Sequence, residues 1–282
     1  MIILLGGDGY FGRNFYEYIS ETNKCVIVDK NINTYYPNNI YFQHDLNKPF
    51  EEDLKADIVI NFAAISFVDY SIIHPEETYT NNFNCCMNGL KLAHRIGAKY
   101  IYVSTDEVNV NKDEKNLSPY VISKRLCEEY LSDKECQIIR PVNLMGICEA
   151  KKGLRQKQKC LLNNIVDAIT HKQKVYIHGN GEQKRMFMGM RPACHLLRDI
   201  VNGNYKEKII DVVKMPNYRT KDLKIRDIVY YLQNVYKYEI EFIEDPRGVY
   251  QDKTYNEINK TGITDWHFLL DCVEMVRKIA TD

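Results

Sequence analysis

The sequence has no apolar run near the roughly 20 residues that a membrane-spanning helix needs, so no such span is expected. It also lacks a basic amino-terminal segment with a small-residue cleavage site; MIILLGGDGYFG reads as a first strand, not an export signal. There is no excess of charge. Lys and Arg number 38, Asp and Glu number 38, and the formal net charge is zero. No global basic field therefore draws the chain to nucleic acid or anionic membrane. The nine cysteines are odd in number and lack both C-x-x-C and framework spacing, with Cys85 and Cys86 adjacent. Reduced thiols in a cytoplasmic protein are the expectation. His and Cys are scattered without the spacing of metal ligands, so no metal site is expected. No internal repeat or low-complexity linker stands out. What remains is a globular composition, 45% hydrophobic and 27% charged over 282 residues. That length supports one large α/β domain, or a main domain with a small lobe.

The first motif stands at the start. Ile2–Leu5 is an apolar run of strand length that leads into Gly6-Gly7-Asp8-Gly9-Tyr10-Phe11-Gly12. Phe11, Phe15, Tyr18 and Ile19 then fall on one helical face. Strand, glycine turn and helix together make a dinucleotide-binding signature. Gly6 allows the tight turn, Gly9 lets backbone approach a pyrophosphate, and Gly12 lets the helix pack close to the strand. The helix N-terminus, with Tyr10 and Phe11, offers N–H groups and a positive dipole end. A second strand, Cys25–Val28, ends at Asp29, placed for the adenosine ribose hydroxyls. A carboxylate there repels a 2′-phosphate and favours NAD over NADP, while the neighbouring Lys30 works slightly the other way. A third run, Tyr41–Leu46, ends in His-Asp-Leu. Asp45 and Leu46 are candidates for the adenine end; the alternative for Asp45 is a turn-forming role. Asp57–Asn61 reads as a buried strand, and Phe62, Ala63 and Ala64 leave room for a cofactor across the strand ends. Ser66 and Asp69 follow on a loop. Pro75 opens a long helix on which Asn81 is placed near the site.

The chain is organised around Tyr100–Lys124. Tyr100–Val103 reads as a buried strand delivering Ser104, Thr105, Asp106 and Glu107 to its C-terminal end, where open α/β sheets bind ligands. Tyr120 and Lys124 are four apart and share a helical face. An ammonium beside a phenol helps make a base of a group whose usual pKa is about 10. The stretch thus offers a hydroxyl, two carboxyls, a tunable phenol and a cation, a set suited to proton and hydride transfer at a hydroxyl-bearing carbon. The alternative for S-T-D-E is a helix cap with acidic residues favouring the dipole. Glu128 and Glu129, later on the Tyr120–Leu131 helix, are expected to be solvated.

Gln137–Arg140 is another strand, followed by Pro141 and Asn143. The alternating units predict a Rossmann-type, doubly wound parallel sheet over residues 1–146. Residues 147–282 are read mainly as a smaller C-terminal substrate-binding lobe, with some elements returning to the main domain. A basic loop (Lys151, Lys152, Arg155, Lys157, Lys159) precedes a helix over Leu161–Thr170. A strand at Val175–His178 leads into the Gly179–Arg185 turn. A helix near Cys194, a strand over Ile209–Val213, and helices over Leu223–Tyr236 and His267–Ile279 follow.

G-x-x-G-x-x-G, the aspartate after the second strand, N-F-A-A, Y-x-x-x-K and R-P-x-N-x-x-G occur in the order and spacing of one family. The chain resembles the extended short-chain dehydrogenase/reductases that act on nucleotide sugars. Within it the resemblance is to nucleoside-diphosphate-glucose 4,6-dehydratases, through V-D-K at Val28–Lys30, A-A-x-S-x-V-D-x-S at Ala63–Ser71, S-T-D-E-V at Ser104–Val108 and S-P-Y-x-x-S-K at Ser118–Lys124. The resemblance implies an NAD-dependent reaction at five residues. Tyr120, as phenolate, takes the proton of the sugar 4-hydroxyl as hydride leaves C4. Lys124 lowers the Tyr120 pKa and holds the nicotinamide ribose, and Thr105 binds the 4-oxygen. Glu107 removes the C5 proton, Asp106 protonates the departing 6-hydroxyl, and hydride returns to C6. Coexisting acid and base carboxyls need their pKa values pushed apart. The resemblance also implies a nucleotide-sugar substrate near Ser66, Asn143, Arg185, Arg247 and Lys253, and a homodimer. Asn109 stands where the family usually has tyrosine. Met186, Phe187 and Pro192 replace an Asp-Trp pair and a later Asp.

Two rivals are open. A 4-epimerase or keto-sugar reductase on the same scaffold needs only Thr105, Tyr120 and Lys124, leaving Asp106 and Glu107 unexplained. A non-catalytic dinucleotide-binding protein has no use for Tyr120 or Lys124.

Overall fold

The computed structural model describes residues 1–31, 40–110, 117–145, 161–215 and 221–244. Strands β1 (Ile2–Leu5), β2 (Cys25–Asp29), β3 (Ile40–Gln43), β4 (Ile58–Asn61), β5 (Lys99–Val103), β6 (Gln137–Arg140) and β10 (Ile209–Asp211) form one sheet. Its order is β10-β6-β5-β4-β1-β2-β3, and every neighbouring pair is parallel. The order reverses between β1 and β4, which opens the crevice where ligands bind in such sheets. The strands are nearly continuous apolar runs because helices cover both faces. Helices α1 (Tyr10–Ile19) and α6 (Met190–Val201) cover one face, where Phe15, Ile19, Leu196 and Leu197 are buried with Leu4 and Ile101. On the other face α3 (Pro75–Ile96) and α4 (Pro119–Tyr130) bury Leu90, Leu92 and Cys127 against Val59 and Tyr102. Each fully buried large apolar side chain contributes roughly 1.5–3 kcal/mol.

A separate core lies beyond the main sheet. There α5 (Leu161–His171) and α7 (Ile225–Tyr236) pack on β8 (Val175–His178) and β9 (Lys184–Gly189), burying Ile165, Ile177, Phe187 and Ile228. Strand β9 pairs in parallel with β7 (Asn143–Met145) and antiparallel with β11 (Lys221–Lys224); β12 (Ile240–Ile243) pairs with β8. A short helix, α2 (Val68–Ile73), precedes α3. No described helix is long and apolar enough to cross a membrane.

Several boundaries differ from the sequence reading. The third strand ends at Gln43, so Asp45 lies past it, in a turn whose Asn47 N–H it accepts at 3.0 Å. Helix α6 starts at Met190, one turn before Cys194, because Met190, Ala193 and Cys194 share its buried face. The strand at Ile209 stops at Asp211, whose carboxylate caps a 3₁₀ turn over Val212–Lys214. The segment from Leu223 divides into the end of β11 and then α7. Gly146, the basic loop from Lys151 to Lys159, Arg247, Lys253 and the His267–Ile279 segment lie outside the described residues.

Candidate active site

The cofactor end is built by close backbone approach. Gly6 has φ +67°, and a Cβ there would lie 2.6 Å from the Ala63 backbone. A Cβ on Gly12 would lie 2.7 Å from the Gly7 Cα, which is why α1 can start so near β1. Helix α1 has no side-chain cap and no acidic residue in its first turn, an arrangement that suits a diphosphate. Phe11 packs edge-on to Phe62 at 5.2 Å. Asn61, at the end of β4, accepts from the Ala63 N–H at 2.9 Å and donates to Cys85 O and Tyr100 Oη, both at 2.8 Å. The N-F-A-A turn is thereby held beside Gly6.

Asp29 closes this end. Its carboxylate accepts from the Asp8 N–H and the Asn31 N–H, each at 3.1 Å. Burial pushes its pKa up; the two backbone donors oppose that, and the Asp8 charge adds to it. Asp8 is itself buried and pairs with Arg13 at 2.7 Å. The Asp29 and Asp8 carboxylates thus interact at the end of β2, an unfavourable setting for a cofactor 2′-phosphate. Lys30 is exposed beside them. These residues fit a dinucleotide without that phosphate. Asp45 is exposed, whereas Leu46 turns its side chain into the core and its carbonyl accepts from Asn88 Nδ2 at 2.8 Å. Ala64 is half-buried on the loop after β4 and Ser66 is exposed there.

The chemical end forms where β5 meets α4. Thr105, Asp106, Glu107, Tyr120 and Lys124 are all buried. Thr105 caps a 3₁₀ turn over Asp106–Asn109, its hydroxyl accepting from the Glu107 N–H at 3.4 Å. The capping alternative and the catalytic reading thus describe the same residues. Ser118 caps α4 and Pro119 occupies its first turn, which aims Tyr120 and Lys124 from one face at the strand end. Burial, and next the Glu107 carboxylate, push the Tyr120 phenol above its ordinary range; a hydrogen bond with Thr105 acts against this and Asp106 adds to it. Both carboxyls are thus electrostatic neighbours of the phenol. Lys124 donates to Val103 O at 2.8 Å and Tyr102 Oη at 3.2 Å, with its ammonium 4.7 Å from the Tyr102 ring centre. Burial lowers its pKa. The phenol's shift comes first from burial and next from the Glu107 carboxylate, while the buried Lys124 ammonium is held by Val103 and Tyr102.

Other residues join the site that the motifs did not single out. Asn82 donates to Ser123 Oγ at 2.8 Å and to Ile65 O at 3.0 Å, tying α4 to the loop after β4. Asn81 donates to the Asn82 side chain at 3.1 Å and accepts from Asn47, one step further from the catalytic helix. A polar residue on an otherwise buried helix face is the signal that would have found Asn82. Glu128 is not solvated: its side chain is 10% exposed and receives Arg140 Nε at 3.0 Å, because a buried guanidinium at the end of β6 needs a counter-charge. Glu129 is exposed. On the substrate side, Asn143 donates to Met186 O at 3.0 Å across the β7–β9 pair, and Arg185, half-buried on β9, donates to Lys184 O at 2.7 Å.

Comparison with known proteins agrees with this geometry. The model of the NAD dependent epimerase/dehydratase family matches residues 2–197. A "Putative UDP-glucose 4-epimerase" of Methanocaldococcus jannaschii is 24% identical, over 99% of this chain and 97% of its own. The dTDP-D-glucose 4,6-dehydratase of Homo sapiens is 31% identical over 51% of this chain and 44% of its own length. The dTDP-glucose 4,6-dehydratase of Streptomyces venezuelae, solved with NAD bound, superposes with a TM-score of 0.74 at 18% identity, over 98% of this chain and 97% of that one.

Proposed function

Because the chain belongs to the NAD-dependent epimerase/dehydratase family, with NAD as its cofactor, we propose that it is a nucleoside-diphosphate-sugar 4,6-dehydratase yielding a 4-keto-6-deoxy sugar. The observation that carries this reading is the buried Asp106–Glu107 pair on a turn electrostatically coupled to Tyr120. Oxidation and re-reduction at one carbon, as in epimerisation, need no such pair. The glycine turn, Asp29 and Lys124 would hold NAD, which would supply a hydride acceptor for C4 and, once reduced, a hydride donor for C6. Tyr120 takes the 4-hydroxyl proton and Thr105 holds the 4-oxygen. Glu107 takes the C5 proton and Asp106 delivers one to the 6-hydroxyl, so that water leaves across C5–C6. Ser66, Asn143, Arg185, Arg247 and Lys253 are assigned to the nucleotide sugar.

A second reading is 4-epimerisation, favoured by the full-length likeness to the Methanocaldococcus jannaschii relative. Mass spectrometry of products from dTDP-, UDP-, CDP- and GDP-sugars separates the two. Loss of one water from the sugar supports the dehydratase; an unchanged mass with a new sugar isomer overturns it. We further infer a homodimer formed through the α3–α4 face, a reading supported by exposed Leu126 on α4 and Ile73 before α3. A monomer in light scattering at micromolar concentration refutes it.

A further inference from the structure

The turn that carries Asp106 and Glu107 is fastened to the Tyr120 helix at two points. Arg125 follows Lys124 in α4. Its Nε donates to Val108 O at 3.1 Å and its Nη2 to Val110 O at 2.6 Å. Asn109, inside the turn, accepts from Arg140 Nη1 at 2.9 Å and donates to Asp211 Oδ2 at 2.8 Å. Arg140 is in turn held by Glu128, three residues after Arg125 on the same helix. The side chains of Arg140, Glu128 and Asp211 are 16%, 10% and 6% exposed, so this charged network is largely buried, reaching the surface only where Lys214 approaches Asp211 at 3.8 Å among the described residues. Strands β6 and β10 and helix α4 thus converge on one short turn.

The fastening points have a direction. Thr105 enters the turn straight from β5, where the Ser104 N–H is bound to Ile139 O at 2.8 Å. Asp106 is next, its N–H on Pro141 O at 3.0 Å. The side-chain clamps lie downstream, at Val108, Asn109 and Val110. Loosening them frees the Glu107 end of the turn first and Thr105 last. Misplacing a reacting group by about 1 Å costs on the order of 100-fold in rate.

We propose that Arg125 and Asn109 are positioning residues that set the Asp106–Glu107 turn against the Tyr120 helix, and so govern water elimination separately from C4 oxidation. The inference rests on the dehydratase reading above. Neither residue touches the reacting atoms; each acts through the turn backbone.

The test is single-turnover kinetics of the full-length, NAD-loaded enzyme with whichever dTDP-, UDP-, CDP- or GDP-sugar the wild type dehydrates. NADH absorbance reports C4 oxidation, and quenched mass spectrometry reports water loss. In Arg125→Ala and Asn109→Ala, water loss is expected to slow roughly 10- to 100-fold while NADH forms within a few-fold of the wild-type rate, so that NADH accumulates. Arg125→Lys, which keeps a donor for one carbonyl, is expected to recover part of the elimination rate. It also carries the test if the alanine variant does not fold. A merely structural role lowers both signals in equal proportion, with no NADH build-up, and that result overturns the inference alone. A wild-type enzyme that dehydrates none of the four sugar classes overturns the dehydratase reading and this inference with it.

Discussion

The two ends of the site are held by opposite means. At the glycine turn, Gly6 meets the Ala63 backbone and Gly12 meets Gly7 at distances that leave no space for a methyl group. At the Asp106–Glu107 turn, polar side chains make the contacts: Arg125, Asn109, Arg140, Glu128 and Asp211 are joined to the turn or to one another by hydrogen bonds. The first end tolerates no added atoms; the second tolerates no removed ones. Backbone approach suits a cofactor whose phosphates are the same in every turnover. Side-chain fastening suits groups that must be placed against one particular substrate.

The sharpest way to break the comparison is to delete one oxygen. On the proposed mechanism Tyr120→Phe removes the base for the first step, so both NADH formation and product formation should fall by about 10²–10⁴-fold in stopped-flow and product assays. A variant within a few-fold of wild type would reassign the base. Next in size is the addition of one methyl group. Gly6→Ala combines positive φ with a clash against fixed backbone, at a cost of about 2–4 kcal/mol. Chemical denaturation should show that loss, and calorimetry should show weakened NAD binding. Wild-type values in both would mean that the turn can shift.

A smaller effect is expected at Asp29. Asp29→Asn keeps the size but removes the carboxylate that the proposed cofactor site sets against a 2′-phosphate. The preference for NAD over NADP should narrow by about tenfold, or ~1.4 kcal/mol, in paired titrations. An unchanged ratio would leave the discrimination to Asp8. The smallest effect joins the two halves of the chemical end. Glu107 is among the groups that raise the Tyr120 pKa, so its charge keeps the phenol protonated to higher pH. Phenolate formation sets the rising limb of the NADH burst, so Glu107→Gln should move that limb toward lower pH, while on the proposed mechanism dehydrated product no longer forms. A limb that stays in place, or moves upward, shows that the carboxylate and phenol are uncoupled.

What could be seen in the sequence follows from this contrast. The glycine turn and Asp29 are encoded within one strand–helix–strand unit, and Tyr120 and Lys124 within two helical turns, so local spacing was enough to place them. The main parallel sheet was legible for the same reason. Strands β7, β9 and β11 were missed or misread because their only organising principle is pairing across residues 143, 187 and 221. Glu128 was misjudged as solvated because its partner Arg140 arrives from the next strand, and nothing in helical periodicity announces a charge there. The partners of Asn109 were hidden in the same way, since Arg140 and Asp211 come from later strands.

Strand β10 has a consequence for synthesis. It pairs with β6, and Gln137 at the start of β6 donates to Tyr205 O and Glu207 O just ahead of it. A ribosome makes the other six strands of the sheet some seventy residues before this one. Until then the growing chain presents the outer edge of β6 without its neighbour, and unpaired edges recruit other strands. Arg140 waits over the same interval for Asp211. The Asp106–Glu107 turn therefore reaches its final electrostatic setting only after β10 has emerged, and nascent chains released earlier should be the aggregation-prone species.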